Sequence, residues 1–167
     1  MNKHQDYKKL TDLATELGRH LQQHGWYLVT AESCTGGWIA SAVTAIAGSS
    51  AWFDRGFVTY SNAAKQELLD VRPETLAKYG AVSEQTVLEM VKGALAHSHA
   101  QVGVAISGIA GPSGGTLDKP VGTVWIAYAF PHNSYAQRYY FSGNRNSIRE
   151  QSVITALRQL YSTREQT

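Results

Sequence analysis

The feature that most constrains the fold is the alternation of short apolar segments with longer amphipathic ones. WYLVTAE, GFVTYS and QVGVAIS are short and rich in β-branched or aromatic residues, which is typical of strands. The later stretch TVWIAYAF, PHNS and YAQRYYFSG predicts an antiparallel hairpin with PHNS as its turn. Strands separated by helices, followed by a hairpin, predict an α/β protein built as a three-layer α/β/α sandwich with a mixed sheet.

The helical segments have recognisable faces and ends. Four leucines at helical spacing define an apolar stripe on the first helix, and a glycine ends it. WIASAVTAIAG reads as a second helix, and serines suited to be N-caps precede the third helix, NAAKQELLD, and a later helix with an apolar face. The residues concerned are Leu10, Leu13, Leu17, Leu21, Gly25, Ser61 and Ser83. With 167 residues and no linker or repeat, we expect a single domain over residues 1–167.

Composition excludes several classes of function. The net charge is only +2 and no run of Lys or Arg stands out, so we expect no nucleic-acid partner. Cys34 is the single cysteine, which rules out an internal disulfide and a cysteine-based zinc site. No apolar run is long enough to cross a bilayer, so we expect no membrane association and a cytoplasmic location.

Three loops follow the predicted parallel strands and should meet at one edge of the sheet. They are SCTGG, the stretch after Tyr60, and SGIAGPSGG, residues 107–115. Glycines in SGIAGPSGG would let backbone N–H groups approach a phosphate, but an ordinary surface loop fits as well, because no Walker A or GxGxxG pattern is present. Cys34 in SCTGG is expected to be a packing residue rather than a nucleophile.

Lys65 is the most informative charged residue. With Ser61 as N-cap, it lies near the positive end of its helix, where a cation is disfavoured. It is either a solvated surface lysine or a buried one whose pKa is lowered enough to accept a proton from a serine. An exposed lysine is neutral in fewer than ~1 in 1000 molecules at pH 7, so the second reading needs at least partial burial, nearby positive charge and no carboxylate partner. Ser50 and Tyr60 flank the intervening strand and could approach it.

The histidines offer no obvious base or metal site. His97 and His99 in HSH lack a third ligand in the sequence, so a solvated helix end is expected and no metal is predicted. Without a positioned histidine, a Ser-His-Asp triad is not supported, and the general base must be another residue.

Several of these stretches together resemble the CinA carboxy-terminal-domain family and, within it, the stand-alone nicotinamide-nucleotide amidohydrolases. The matching motifs are TAESCTGG, AGSSAWFDRGFVTYSNAAK, GAVSE, SGIAGPSGG, KPVGTVW and FSGNR, in order from about Thr30 to Arg145. The resemblance implies hydrolysis of the carboxamide of nicotinamide mononucleotide to nicotinate mononucleotide and ammonia by a Ser/Lys mechanism, with no cofactor. It also implies a homodimer.

The resemblance carries functional residues onto numbered positions. It implies Ser50 as the nucleophile, with adjacent Ser49 open as the alternative, Lys65 as the base and Tyr60 as an assisting hydroxyl. Substrate-binding positions implied in the same way are Ser33, Thr35, Gly36, Ser49, Ser107, Gly108, Gly111, Gly114 and Arg145. Backbone N–H groups of the Gly48–Ala51 turn or of SCTGG are the expected oxyanion donors. A nucleotide-binding module without catalysis, or an amidohydrolase for another amide, stay open as alternatives.

Overall fold

The computed structural model describes the backbone of residues 3–162 and the side chains of residues 9–162. Five strands form one mixed sheet in the order β2-β1-β3-β4-β5. Strands β1 (Leu28–Glu32), β2 (Phe53–Val58) and β3 (Val102–Gly108) are parallel, whereas β4 (Thr123–Phe130) and β5 (Asn133–Tyr140) form an antiparallel hairpin beside β3. The predicted mixed sheet is therefore confirmed.

Helices cover both faces of this sheet and complete the predicted three-layer sandwich. One face packs against α1 (Lys3–His24), α2 (Trp38–Thr44) and α6 (Arg145–Ser162). The other packs against α3 (Asn62–Leu69), α4 (Pro73–Tyr79) and α5 (Glu84–Ala96). Within the described residues, no helix combines the length and hydropathy that a bilayer span requires.

The alternation of side chains along the strands creates two separate cores. In β1, Leu28 joins the core under α1 and α6, while Val29 and Ala31 join the core under α5. Alanines dominate the α5 side of β3 and β4, so α5 can lie close to the sheet there: Ala105, Ala127 and Ala129. A sheet buried on both faces explains why its central strands read as nearly continuous apolar runs.

Local signals set most element ends, with some differences from the sequence prediction. Ser61 caps α3 by accepting a hydrogen bond from the N–H of Ala64 at 3.0 Å, and Ser83 caps α5 in the same way. Helix α2 ends at Thr44 rather than continuing to Gly48, and β2 begins at Phe53, three residues before GFVTYS. Helix α4, begun by Pro73, was not predicted.

Candidate active site

The carboxyl ends of β1, β2 and β3 meet at one edge of the sheet, as the parallel order requires. Ser33 follows β1, Thr59 follows β2, and Gly108 ends β3. Backbone hydrogen bonds tie these ends together: the N–H of Ser33 donates to Ile106 O, and the N–H of Thr59 donates to Glu32 O. The side chains that follow the strands are therefore held close to one another by the sheet itself.

Lys65 points into this edge and is buried. Its side chain comes from the first turn of α3 and is only 1% exposed. The ammonium nitrogen Nζ donates to Ser33 Oγ at 3.1 Å and to the backbone oxygen of Thr59 at 2.9 Å. The structure thus rejects the solvated reading of this lysine.

The environment of Lys65 makes its charged form less favourable than that of an exposed lysine. Burial lowers its pKa below the ordinary value of 10.5, because the charged form loses solvation, and the nearby Cys34 thiol opposes this only as a secondary effect. Among the ion pairs formed by the side chains of residues 9–162, none includes Lys65. A neutral amine can keep its hydrogen bond to Thr59 O and turn its lone pair towards the hydroxyl of Ser33. The pair is therefore able to move a proton from Ser33 to Lys65.

The loop after β1 is fixed by a buried carboxylate. Glu32 is fully buried, and its Oε1 accepts hydrogen bonds from Thr35 Oγ1 at 2.7 Å and from the N–H of Ile39 at 2.8 Å. Its Oε2 accepts from the N–H of Ala40 at 3.0 Å. These are donors at the positive end of α2, which is where a carboxylate is stabilised. Glu32 thus couples the end of β1 to the start of α2 and holds the loop that carries Ser33.

Two glycines let this loop turn sharply. Gly36 and Gly37 both have positive φ, at 62° and 92°, which residues with a side chain adopt only with strain. The turn is closed by a hydrogen bond from the N–H of Gly36 to Ser33 O at 3.0 Å. This explains the GG of SCTGG as a conformational requirement.

Cys34 is a packing residue, as expected from the sequence. It is buried, and burial raises the pKa of its thiol from 9.0 to about 12. A thiol with that pKa is protonated at neutral pH and is a poor nucleophile.

Arg149 on α6 holds the loop from its outer side. Its Nε donates to Cys34 O at 3.1 Å and its Nη2 donates to Thr35 O at 3.0 Å. The guanidinium carbon also lies 5.4 Å from the centre of the Trp38 ring, in a cation–π arrangement.

A second arginine, Arg145, bridges the stretch after β2 and the glycine-rich loop. Its Nη2 donates to the hydroxyl of Tyr60 at 2.8 Å, and its Nη1 donates to Gly111 O at 2.8 Å. Tyr60 is 61% exposed and directly follows Thr59. Three of the predicted site residues are thus brought together beside the Lys65–Ser33 pair.

The remaining predicted substrate-binding residues divide into two groups. Thr35 is buried, and its hydroxyl donates to Glu32. Ser107 is buried within β3, and Gly108 at the end of this strand lies close to the thiol of Cys34. Gly36 and Gly114 lie at exposed turns with positive φ. The first group lies at the carboxyl end of β3 or directly after β1, and Gly36 and Gly114 lie on the loops that follow these strands.

Ser49 and Ser50 lie elsewhere, which corrects the expectation that Ser50 approaches Lys65. They form a 3₁₀ turn before β2, and Trp52 O just after it accepts a hydrogen bond from the N–H of Leu28 at the start of β1. Strand β2, of six residues, then separates them from Lys65 by roughly 3.3 Å per residue, or about 20 Å. The expectation failed because α2 and the turn after it carry the chain back to the amino ends of the strands.

The sequence analysis missed three contributors to this site: Glu32, Thr59 and Arg149. Two of them leave a signal in the sequence. Glu32 is a carboxylate at the end of an otherwise apolar strand, and Arg149 follows Arg145 by one helical turn, so both arginines lie on one face of α6. The role of Thr59 comes through its backbone oxygen and leaves no signal.

Two other features do not add to the site. His97 is engaged by Asp70, with Nε2 and Oδ2 2.6 Å apart, and in the described part of the chain no three metal-ligating side chains converge. A cavity of about 540 Å³ lies between α5 and the turn joining β4 to β5, away from Ser33 and Lys65.

The chain is similar in sequence to a known family and to proteins that carry an enzyme name. Residues 10–164 match the CinA C-terminal domain family. The chain is 55% identical over 151 residues to the nicotinamide-nucleotide amidohydrolase PncC of Enterobacter agglomerans, covering 90% of this chain and 92% of that protein. It is 53% identical to the PncC protein of Escherichia coli K12, covering 92% of this chain and 93% of that protein.

Solved structures have the same fold. The competence/damage inducible protein CihA from Agrobacterium tumefaciens superposes with a TM-score of 0.89 at 47% identity, covering 92% of this chain and 94% of that one. A CinA superfamily protein from Klebsiella pneumoniae gives a TM-score of 0.91 at 43% identity, covering 95% and 99% of the two chains. With near-complete coverage in both sequence and structure, the chain belongs to the CinA C-terminal domain family.

Proposed function

We propose that this protein hydrolyses the carboxamide of nicotinamide mononucleotide to nicotinate mononucleotide and ammonia. The observation that carries the chemistry is the buried Lys65 amine 3.1 Å from Ser33 Oγ at the carboxyl edge of the parallel strands. The observation that supports the substrate is the name of the relatives that are more than half identical over about nine-tenths of the chain. A homodimer, which the resemblance implies, and a cytoplasmic location, which the sequence analysis expects, are also part of this proposal.

Ser33 is proposed as the nucleophile in place of Ser50. A base must lie within hydrogen-bonding reach of the proton that it removes. Lys65 meets this requirement for Ser33, whereas Ser50 starts at the opposite end of β2. Ser33 also begins the turn that Gly36 and Gly37 allow through their positive φ, and the N–H of Gly36 closes this turn onto Ser33 O.

The proposed reaction proceeds through an acyl-enzyme. Neutral Lys65 takes the proton of Ser33 while Oγ attacks the carboxamide carbon, and the carbonyl oxygen becomes an oxyanion. The Lys65 ammonium then gives its proton to the amide nitrogen, the C–N bond breaks, and ammonia leaves. Water, deprotonated by Lys65, attacks the ester carbon, and Ser33 leaves with a proton to give the carboxylate product.

The oxyanion needs donors that are already in place. Of the two expected sets, the backbone of SCTGG lies next to Ser33, and the Gly48–Ala51 turn lies with Ser50 at the other end of β2. Donors in SCTGG are therefore proposed. One such donor is worth on the order of 3 kcal/mol in the barrier.

Arg145, Tyr60 and the 107–115 loop are proposed to bind the nucleotide. Arg145 donates hydrogen bonds to Gly111 O and to the Tyr60 hydroxyl. A substrate phosphate could replace both as acceptors. Tyr60 is proposed as the hydroxyl that contacts the substrate beside the reacting amide.

Ammonia release tests the proposal directly. We expect the wild-type protein to release ammonia from nicotinamide mononucleotide and much less from the riboside or the dinucleotide. Ser33→Ala should lower kcat by at least 10³-fold, whereas Ser50→Ala should retain most of it. Ser41→Ala, at an exposed position of α2, is the matched control.

Two results would contradict specific parts of the proposal. Ammonia release from another amide but not from the mononucleotide would reject the substrate. An inactive Ser50→Ala protein together with an active Ser33→Ala protein would reassign the nucleophile to the 3₁₀ turn.

A further inference from the structure

Arg149 uses one edge of its guanidinium on two successive backbone oxygens. The Nε donor and the Nη2 donor reach Cys34 O and Thr35 O, respectively, at 3.1 and 3.0 Å. This is the planar fork that arginine has and lysine lacks. The guanidinium carbon also lies 5.4 Å from the centre of the Trp38 ring, within the range of a cation–π interaction.

These two hydrogen bonds fix the direction of the neighbouring N–H groups. In a planar trans peptide, the C=O and the following N–H point to opposite sides. With Thr35 O held by Arg149 at 3.0 Å and by the N–H of Trp38 at 3.3 Å, the N–H of Gly36 points away from Arg149, and it donates to Ser33 O at 3.0 Å. With Cys34 O held in the same way, the N–H of Thr35 points away from Arg149 too.

The N–H of Gly36 is directed at the backbone oxygen of Ser33, and the N–H of Thr35 precedes it by one residue in the same turn. The side chain of Thr35 cannot alter the arrangement, because its hydroxyl is held by Glu32 at 2.7 Å. The loop is therefore constrained from three directions: Glu32 inside, Arg149 outside, and its own turn.

We propose that Arg149 is a positioning residue that holds the Thr35 N–H towards Ser33 as a donor to the oxyanion. This inference rests on the proposed function, in which Ser33 attacks the carboxamide. Arg149 touches neither Ser33 nor Lys65 through any hydrogen bond in the described part of the chain, so its effect on the reaction passes through the backbone.

Kinetics of Arg149→Gln and Arg149→Lys test this role. Loss of an oxyanion donor typically costs 10²- to 10³-fold in kcat. We expect kcat of Arg149→Gln to fall by about 10²-fold with KM for nicotinamide mononucleotide changed by less than about threefold. Arg149→Lys should be nearly as slow, because it keeps the charge and loses the fork. Arg158→Gln, at an exposed position of the same helix, should behave as wild type.

Chemical rescue is a readout that a loss of stability alone would not move, and hydrogen exchange becomes one when the segment 34–37 is compared with the core strands of the same protein. Millimolar guanidinium should restore part of the kcat of Arg149→Ala and none of that of Ser33→Ala. Amide exchange of the segment 34–37 should be faster in Arg149→Gln than in wild type, measured on folded protein.

The outcomes separate this inference from the proposed function. A raised KM with kcat unchanged would overturn it and make Arg149 a substrate-binding residue. Unchanged kcat and unchanged exchange in an enzyme that Ser33→Ala inactivates would overturn it while leaving the proposed function intact. If the wild-type protein releases no ammonia, the proposed function fails, and unchanged exchange of the 34–37 segment would then overturn the positioning role as well.

Discussion

The burial of Lys65 lowers the stability of the fold and at the same time favours the role of base proposed for this residue. Its side chain is 1% exposed and binds two oxygen acceptors, and no carboxylate of residues 9–162 pairs with it. Burying an amine in this way disfavours its charged form, since no opposite charge offsets the lost solvation. In the proposed mechanism the same effect makes Lys65 a better base towards Ser33, at a cost in stability that a lysine reaching solvent would avoid.

The pH dependence of turnover should report this lowered pKa. The active form in the proposed mechanism is the neutral amine, so kcat/KM should rise with pH and level off above an apparent pKa below 10.5. A pH–rate profile of ammonia release measures it. Lys65→Arg should be inactive at every pH, because its guanidinium stays protonated. An active Lys65→Arg enzyme would remove Lys65 from the role of base.

The free energy of unfolding should also depend on this lowered pKa, because burying the charged lysine destabilises the fold. The folded protein has a lowered lysine pKa and so binds fewer protons than the unfolded chain, which means that this residue destabilises the fold most at low pH. The destabilisation fades as pH rises from the folded pKa to the unfolded value of 10.5. Lys65→Met should therefore gain stability relative to wild type at neutral pH, and less so as pH approaches that value.

Urea unfolding at several pH values checks this expectation. The informative quantity is the change with pH of the difference between Lys65→Met and wild type, because lost hydrogen bonds to Ser33 and Thr59 affect it equally at each pH. A difference that does not vary with pH would mean that the lysine is charged in both states.

Glu32 acts on the scale of secondary-structure elements, because it joins β1 to α2. Its carboxylate accepts three hydrogen bonds, from Thr35 Oγ1 and from the N–H groups of Ile39 and Ala40. In Glu32→Gln one oxygen becomes an NH₂ group that faces a donor. We expect unfolding free energy to fall by about 2–3 kcal/mol, as for a hydrogen bond to a charged group that is lost inside a protein.

The exposed Glu16 is the control for Glu32. It pairs with Arg19 at 2.6 Å on the surface of α1, and such pairs contribute about 0.2–1 kcal/mol. Glu16→Gln should therefore change denaturant unfolding little. If Glu32→Gln is equally mild, the loop after β1 does not depend on its carboxylate.

Two buried threonines in neighbouring parts of the sheet should respond oppositely to the same substitution. Thr30 Oγ1 in β1 is buried without a hydrogen-bond partner among the described residues, whereas Thr123 Oγ1 in β4 donates to Pro120 O at 2.7 Å. Replacing a hydroxyl without a partner by a methyl group removes a desolvation cost of about 1–3 kcal/mol. Thr30→Val should thus be stabilised by about 1 kcal/mol, and Thr123→Val destabilised by a similar amount, in urea unfolding.

At the scale of the whole molecule, the order of the layers was readable from the sequence because it depends on patterns that are local. Apolar segments buried on both faces predict central strands, and Ser61 and Ser83 mark helix starts through their own side chains. The extent of α2 was not readable, because no glycine or proline marks its end at Thr44. Where α2 ends decides which serines reach the carboxyl edge.

The candidate site was readable only in part for the same reason. Loops after parallel strands meet at one edge, and this placed SCTGG, Tyr60 and SGIAGPSGG together. The partner of Lys65 was not predictable from spacing, because Ser33 lies 32 positions before it, just after β1, and the pairing of β1 with β2 brings the two together. The sequence places Arg149 on the same face of α6 as Arg145. It does not show which backbone oxygens Arg149 binds, because every residue has one.

The packing of the two helical layers should decide which substitutions reach the site. In α5, a Cβ at Gly93 would lie 1.9 Å from Leu69 O at the end of α3, the helix that carries Lys65. In α1, a Cβ at Gly18 would lie 2.4 Å from the ring of Trp52 on the other face of the sheet. Both glycine-to-alanine changes overpack a helix contact, so each should cost about 1–3 kcal/mol despite alanine's better helix propensity.

The two substitutions should differ in their effect on turnover. Only Gly93→Ala has to displace α3, so its folded protein should lose turnover, while folded Gly18→Ala should keep it. The measurement is ammonia release per folded molecule, and urea unfolding gives the folded fraction. Loss of turnover in Gly18→Ala alone would mean that the reacting serine lies near Trp52, in the turn of Ser49 and Ser50.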